Sequence, residues 1–193
     1  MAFQTNSKLP VAKNPWQTID CKTIYENPWI KLTHRNVINP SGKPGIYGVV
    51  HFKNTAIAIV PLDDEYNTWL VGQFRYTINE YSWEVPEGGG RKNGNPTESA
   101  KRELLEETGI TAKTWIDAGK LHLSNSVTDE EAQVFIAKDL TFGTAQPEDT
   151  EELQIRKLPF SEVVEMVMRG EITDALAVSA ILKVKLMMDR GKV

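Results

Sequence analysis

A single cysteine, Cys21, in 193 residues leaves no internal disulfide framework. It reads as an ordinary packing residue. No apolar run approaches the ~20 residues that a membrane-spanning helix needs. The N-terminal MAFQTNSKLP lacks the apolar core of a signal peptide. A membrane is therefore excluded as a partner, and the cytoplasm is the default compartment. Cationic charge is short as well: 22 Lys and Arg against 26 Asp and Glu give a net charge of −4. No basic stripe follows a phosphate backbone, which excludes a nucleic-acid polymer as the main partner. A small anionic substrate stays open, because a bound cation supplies positive charge locally. The three histidines, His34, His51 and His122, are scattered without metal-ligand spacing and receive no catalytic role. There is no internal repeat. The length suits one ordinary domain plus an extra element.

What the chain does have is concentrated in residues 83–110, WEVPEGGGRKNGNPTESAKRELLEETGI. Asn95 suits an N-cap and Pro96 the first helical position. Glu98 stands three residues on, where it can reach back to the cap. Gly109 is a natural left-handed terminator. Together they predict a helix over 96–108. Glu103 and Glu107 share one face of it, and Glu106 borders that face. Arg102 can pair with Glu106, and Glu98 with Arg102, which leaves Glu103 and Glu107 without a partner. Carboxylates clustered in this way suit a hard cation such as Mg2+, which bridges carboxylates to substrate phosphates. Gly88, Gly89 and Gly90 read as a loop that lets backbone approach a ligand.

The first 15 residues or so are polar and read as a loose arm. Strands over 18–25, 29–38 and 46–52, the last two joined by the turn chemistry of Asn39 to Gly45, predict a small three-stranded sheet. Such a sheet is too small to bury its own core, so it needs another surface. The main domain begins at Asn54, with strands over 56–60, 69–75, 81–85, 114–123, 133–137 and 151–158. Helices follow, over 161–168 with Ser161 as cap, and over 174–189, where Leu176, Ala180, Leu182 and Leu186 read as core. Strands, helix, strands, helix argue an α+β sandwich and not a doubly wound sheet. The domains fall at 1–53 and 54–193.

Residues 102–110, RELLEETGI, resemble the core of the Nudix box. In that pattern a glycine, five residues, a glutamate and seven residues precede the Arg-Glu pair. Counting back places the box glycine at Gly88. The first box glutamate falls at Gly94, which is a departure. The resemblance extends through residues 71–75 (VGQFR), 84–88 (EVPEG) and 170–175 (GEITDA), which look like the corresponding stretches of ADP-ribose pyrophosphatases. It implies the Nudix α/β/α sandwich with a mixed sheet, preceded by a small antiparallel sheet that is exchanged across a homodimer.

It also implies roles. Glu103, Glu106 and Glu107 match the metal-ligating acids, and Glu87 the position whose backbone carbonyl reaches a metal. Arg102 matches the arginine that orients the acids. Arg75 matches an arginine at the diphosphate, a task that suits its bidentate fork. Trp29 and Tyr47 match aromatics that stack the base. A loop acid after the box serves as general base: Glu130, with Asp129 and Glu131 as competitors. The implied reaction is Mg2+-dependent hydrolysis of a nucleoside diphosphate sugar, with Mn2+ as substitute. ADP-ribose would give AMP and ribose 5-phosphate. The alternatives are another substrate, such as GDP-mannose or a dinucleotide, and a nucleotide-binding sensor without turnover, which Gly94 favours.

Overall fold

The computed structural model describes residues 13–146 and 152–193. Most of the expected N-terminal arm, residues 1–12, lies outside the described residues, as does Glu151 at the start of the strand expected over 151–158. The chain divides into two compact units, one ending at His51 and one beginning at Phe52.

The first unit is a three-stranded sheet, β1 (Gln17–Glu26), β2 (Ile30–Ile38) and β3 (Pro44–Phe52), in the order β1-β2-β3 with β1 antiparallel to β2. The β2–β3 turn is built by Asn39, whose side chain accepts the N–H groups of Ser41 and Lys43, both at 3.0 Å. Trp29, expected at the start of a strand, stands before β2. The Asn27 side chain accepts the Trp29 and Ile30 N–H groups at 2.9 and 2.8 Å and makes a turn there. Every residue of β1 is exposed. Cys21 is on it, so the packing role expected for this residue is not found.

The second unit is a sandwich. One sheet runs β7 (Glu87–Arg91), β4 (Asn54–Pro61), β9 (Glu131–Phe142), β8 (Ile110–His122). It is mixed, because β4 pairs parallel with β9 while β4–β7 and β8–β9 are antiparallel. A second sheet runs β10 (Gln154–Pro159), β5 (Asn67–Arg75), β6 (Glu80–Glu84). The centre is β4, whose apolar run is buried on both faces. Ile57 and Ile59 pack with Ala100 and Leu104 of α1 (Pro96–Thr108). The alternate residues Ala58 and Val60 pack with Phe160 and Val163 of α2 (Phe160–Met168) and with Ala177 and Ile181 of α3 (Ala175–Asp189). Helices thus cover both sides of the sheet, as the α/β/α reading requires.

The helix over 96–108 forms as its caps predict. Asn95 accepts the Thr97 N–H at 3.0 Å, and Gly109 closes it at φ 70°. Glu98 does not reach back to the cap; it pairs with Lys101 at 2.8 Å. The triple glycine is not a loop. Gly88, Gly89 and Gly90 pair with Ile57, Ala56 and Thr55 as part of β7. The glycine lets α1 lie close: a Cβ on Gly88 would overlap the Glu103 carboxyl group, which would have to shift. Helix α2 starts at Phe160 with no side-chain cap, so Ser161 is not its cap. In α3, Leu176 and Ala180 are buried, Leu182 is half-buried, and Leu186 is exposed. A helix apolar nearly all round with one face on the sheet must leave some of its leucines outside.

Candidate active site

Helix α1 turns its acids onto β7. Glu103 and Glu107 are both buried, four residues apart on the packed face. The expectation that they lack partners does not hold. Glu107 accepts the backbone N–H of Glu87 at 3.0 Å. Glu103 accepts from Arg102 Nη2. Arg102 also donates through Nη1 to Glu106 at 2.5 Å and through Nη2 to the Gly89 carbonyl at 3.0 Å. One guanidinium therefore holds two carboxylates of α1 against the backbone of β7. It does not pair with Glu98.

Glu87 leads from these acids into a cleft of about 540 Å3. The cleft is lined by Arg75 from the end of β5, Glu84 from β6, Glu87 from β7, Glu130 from the β8–β9 loop and Asp174 from the start of α3. Phe52, Ile78, Leu123 and Leu176 supply apolar wall. Arg75 bonds Glu84 side-on, Nε to Oε1 at 2.9 Å and Nη2 to Oε2 at 2.5 Å, and reaches Glu87 Oε1 at 2.9 Å. The Glu84 hydrogen bond is the main reason that the Arg75 pKa is raised. Burial, and then the Asp174 and Glu84 charges, push the Glu87 carboxyl well above its usual range.

The three loop acids separate by position. Glu130 lines the cleft, and burial, followed by the Asp174 charge, raises its pKa. Asp129 accepts the Phe52 N–H at 3.0 Å and lies 3.6 Å from Lys92. Glu131 is already on β9 and pairs with Lys120 at 2.8 Å, which lowers its pKa. Trp29 and Tyr47 belong to the first unit. Trp29 is 67% exposed, and Tyr47 meets Trp16 edge-on with centroids 5.4 Å apart.

Of the residues singled out in the sequence, the cleft gathers Arg75, Glu87 and Glu130, while α1 brings Glu107 to the Glu87 N–H and Glu103 to Gly88, with Arg102 bonded to Glu103, Glu106 and the Gly89 carbonyl. Glu84 and Asp174 are cleft residues that sequence reasoning did not single out. Each had a signal. Glu84 is an acid set between Trp83 and Val85, and Asp174 precedes an apolar helix as a capping residue does. Asp174 does cap α3, accepting the Ala177 N–H at 2.7 Å.

The donors suit a hard divalent cation. They are carboxylate oxygens. Glu84, Glu87 and Asp174 each bring one oxygen within 4.8 Å of the others, and Glu87 Oε2 is buried with no hydrogen-bond partner, but both Glu84 oxygens are already bonded by Arg75, and this cluster is separate from the α1 acids Glu103, Glu106 and Glu107.

Comparison with known proteins agrees with this geometry. A NUDIX domain profile matches residues 52–177, and the profile of a nucleoside diphosphate sugar hydrolase N-terminal domain matches residues 16–50. The chain is 32% identical to an ADP-ribose pyrophosphatase of Mycobacterium tuberculosis over 90% of its own length and 85% of that protein. It is 29% identical to an ADP-ribose pyrophosphatase of Bacillus subtilis, over 86% and 90% of the two chains. The crystal structure of an ADP compounds hydrolase superposes with a TM-score of 0.82 at 19% identity, covering 95% of this chain and all of that one.

Proposed function

The chain belongs to the Nudix family of hydrolases, and on that premise we propose that it cleaves the diphosphate bond of nucleoside diphosphate sugars, ADP-ribose first among them. The products from ADP-ribose are AMP and ribose 5-phosphate. The observation that carries the reading is that Arg75, Glu87 and Glu130 line one cleft, whose Glu87 is hydrogen-bonded to the buried Glu107 of the acidic helix.

Glu103, Glu106 and Glu107 would hold Mg2+, or Mn2+ in its place, with the Glu87 backbone. When bound, the cation supplies charge neutralisation and Lewis-acid polarisation of the diphosphate. Arg102 fixes the directions of Glu103 and Glu106 before any ligand arrives. Arg75 binds phosphate oxygens from the cleft wall. Glu130 accepts the proton of the attacking water as the new P–O bond forms and the bridging P–O bond breaks, a contribution of ~10^2- to 10^4-fold for a positioned base. Its raised pKa brings it nearer to neutral pH, where a general base works best. Gly88, without a side chain, keeps Glu103 against the backbone of β7.

The first unit would supply base recognition through Trp29 and Tyr47, whose faces suit stacking on a purine. It would also supply the dimer contact. Ile19, Ile24, Tyr25 and Ile46 on this one small sheet, and Trp29 in the turn before β2, are all more than half exposed. A second copy of the chain would cover them. Light scattering at micromolar concentration tests this, and a clean monomer would rule out a shared site.

The activity is tested with a panel of nucleotide sugars and Mg2+, beside a Glu107→Gln variant. Release of AMP from ADP-ribose, lost in the variant, is the expected result. Turnover of GDP-mannose alone would overturn the substrate, and binding without turnover of any compound would overturn the hydrolysis.

A further inference from the structure

We propose that Glu84 is a positioning residue, which holds the Arg75 guanidinium by its Nε and Nη2 edge so that Nη1 is presented to a phosphate oxygen in the cleft. The inference rests on the reading of this cleft as a diphosphate site.

The local register makes the contact. On the β5–β6 ladder Arg75 pairs with Glu80, Gln73 with Ser82 and Val71 with Glu84. Side chains alternate along strands, so Arg75, Ser82 and Glu84 share a face. Arg75 is not opposite Glu84, so to bond it the arginine must lie back along the sheet, past position 82. Ser82 is small and buried there, and it leaves the path open.

The chemistry makes the contact obligatory. Glu84 is 2% exposed. A buried carboxylate without a cationic partner is costly. Arg75 meets it with two parallel hydrogen bonds, the strong side-on form of this pair. Glu87 takes a further Nη2 hydrogen. Three of the five guanidinium N–H groups are then committed. Nη1 has no hydrogen bond among the described residues, and the Arg75 side chain is still 37% exposed on the cleft it lines. A lysine offers no such division of labour, since its ammonium has no planar fork. A mobile arginine would lose rotamer freedom each time it bound a phosphate; one already fixed has lost it on folding.

The test is a double-mutant cycle of wild type, Arg75→Ala, Glu84→Gln and the double variant. Affinity for an uncleavable methylene-bridged analogue of ADP-ribose is read by calorimetry, and kcat/KM for ADP-ribose is read beside it. Each single variant should weaken analogue binding by ~10- to 100-fold, the range of a lost charged hydrogen bond. Because Glu84 acts through Arg75, the double variant should bind no worse than Arg75→Ala. A purely structural Glu84 would instead multiply the two losses, since uncoupled sites add in free energy. Glu84→Asp keeps the charge on a shorter arm and repeats the cycle if Glu84→Gln does not fold.

Multiplied losses, unchanged affinity in Glu84→Gln or Glu84→Asp, unchanged affinity in Arg75→Ala, or no analogue binding by the wild type would each overturn the inference. The coupled pattern without turnover of ADP-ribose supports the inference and sinks the hydrolysis. Turnover of ADP-ribose with multiplied losses does the reverse.

Discussion

The Glu107 carboxylate on α1 accepts the backbone N–H of Glu87 on β7 at 3.0 Å. The side chain of the same Glu87 lines the cleft. A displacement of the helix is therefore felt in the cleft through one residue. Glu107→Gln keeps an oxygen for this hydrogen bond and removes the charge. Its melting temperature should stay near that of the wild type, while kcat falls by ~10^2- to 10^3-fold, as expected for losing several kcal/mol of cation-supplied stabilisation. Melting curves and initial rates at saturating Mg2+ check both halves.

Glu130→Gln should lower kcat by ~10^2- to 10^4-fold if Glu130 is the base. The wild-type rate should also show an acid limb. Only the ionised carboxylate accepts a proton, and burial and Asp174 raise its pKa above the usual 4.5. Activity therefore rises with pH through a value above 4.5, and Asp174→Asn should move that limb downward. A pH–rate profile over the acid range reads this directly.

The same shift has a sign for stability. A carboxyl whose folded pKa is raised favours folding most below its unfolded pKa, and this contribution is lost as pH rises through the folded value. Glu130→Gln should therefore gain stability over the wild type at pH 7 and not at pH 4. Urea denaturation at the two pH values is the measurement.

Gly88→Ala tests the close approach of α1 to β7. The new methyl group would collide with the Glu103 carboxyl group. The cost should be ~1–3 kcal/mol, the usual range for overpacking. Activity should fall with it, because the displaced side chain is one of the proposed cation ligands.

Gly94→Glu restores the acid that the Nudix pattern carries at this position. Arg102 is already engaged by Glu103, Glu106 and the Gly89 carbonyl. Gly94 itself only closes the turn before the N-cap, its N–H donating to the Arg91 carbonyl at 2.8 Å. The substitution should leave kcat/KM within about twofold, the effect of a ~0.5 kcal/mol surface change. A gain of an order of magnitude would show that the missing acid matters.

What was legible in the sequence was local. The α1 helix was readable to the residue because Asn95, Pro96 and Gly109 act on their own neighbours. The β7 strand was not, because its glycines suit a loop by propensity and become a strand only through pairing with β4, some thirty residues earlier. Ser161 has the chemistry of a cap, yet α2 begins one residue before it, where the Phe160 N–H meets the Tyr66 carbonyl at 2.8 Å. That Glu103 and Glu107 share one face of α1 was readable from spacing, and both are buried on its packed face. Glu84 and Asp174 were not singled out, because what brings them beside Arg75 is the convergence of β6 and α3, which no spacing records. Gly94 was legible as a departure, but not its setting in a turn outside the Arg102 network.

The doubly buried strand β4 bears on synthesis. Its parallel partner β9 pairs residues 132–137 with residues 56–61. The ribosome must therefore make about 76 more residues after β4 before the central strand can be flanked on that side. At ~5–20 residues per second this takes roughly 4–15 s. For that interval an apolar segment without its neighbour is open to wrong pairing. Slow translation between positions 61 and 137 would lengthen the exposure, and the yield of soluble protein should depend on chaperone supply more than on the stability of the finished fold.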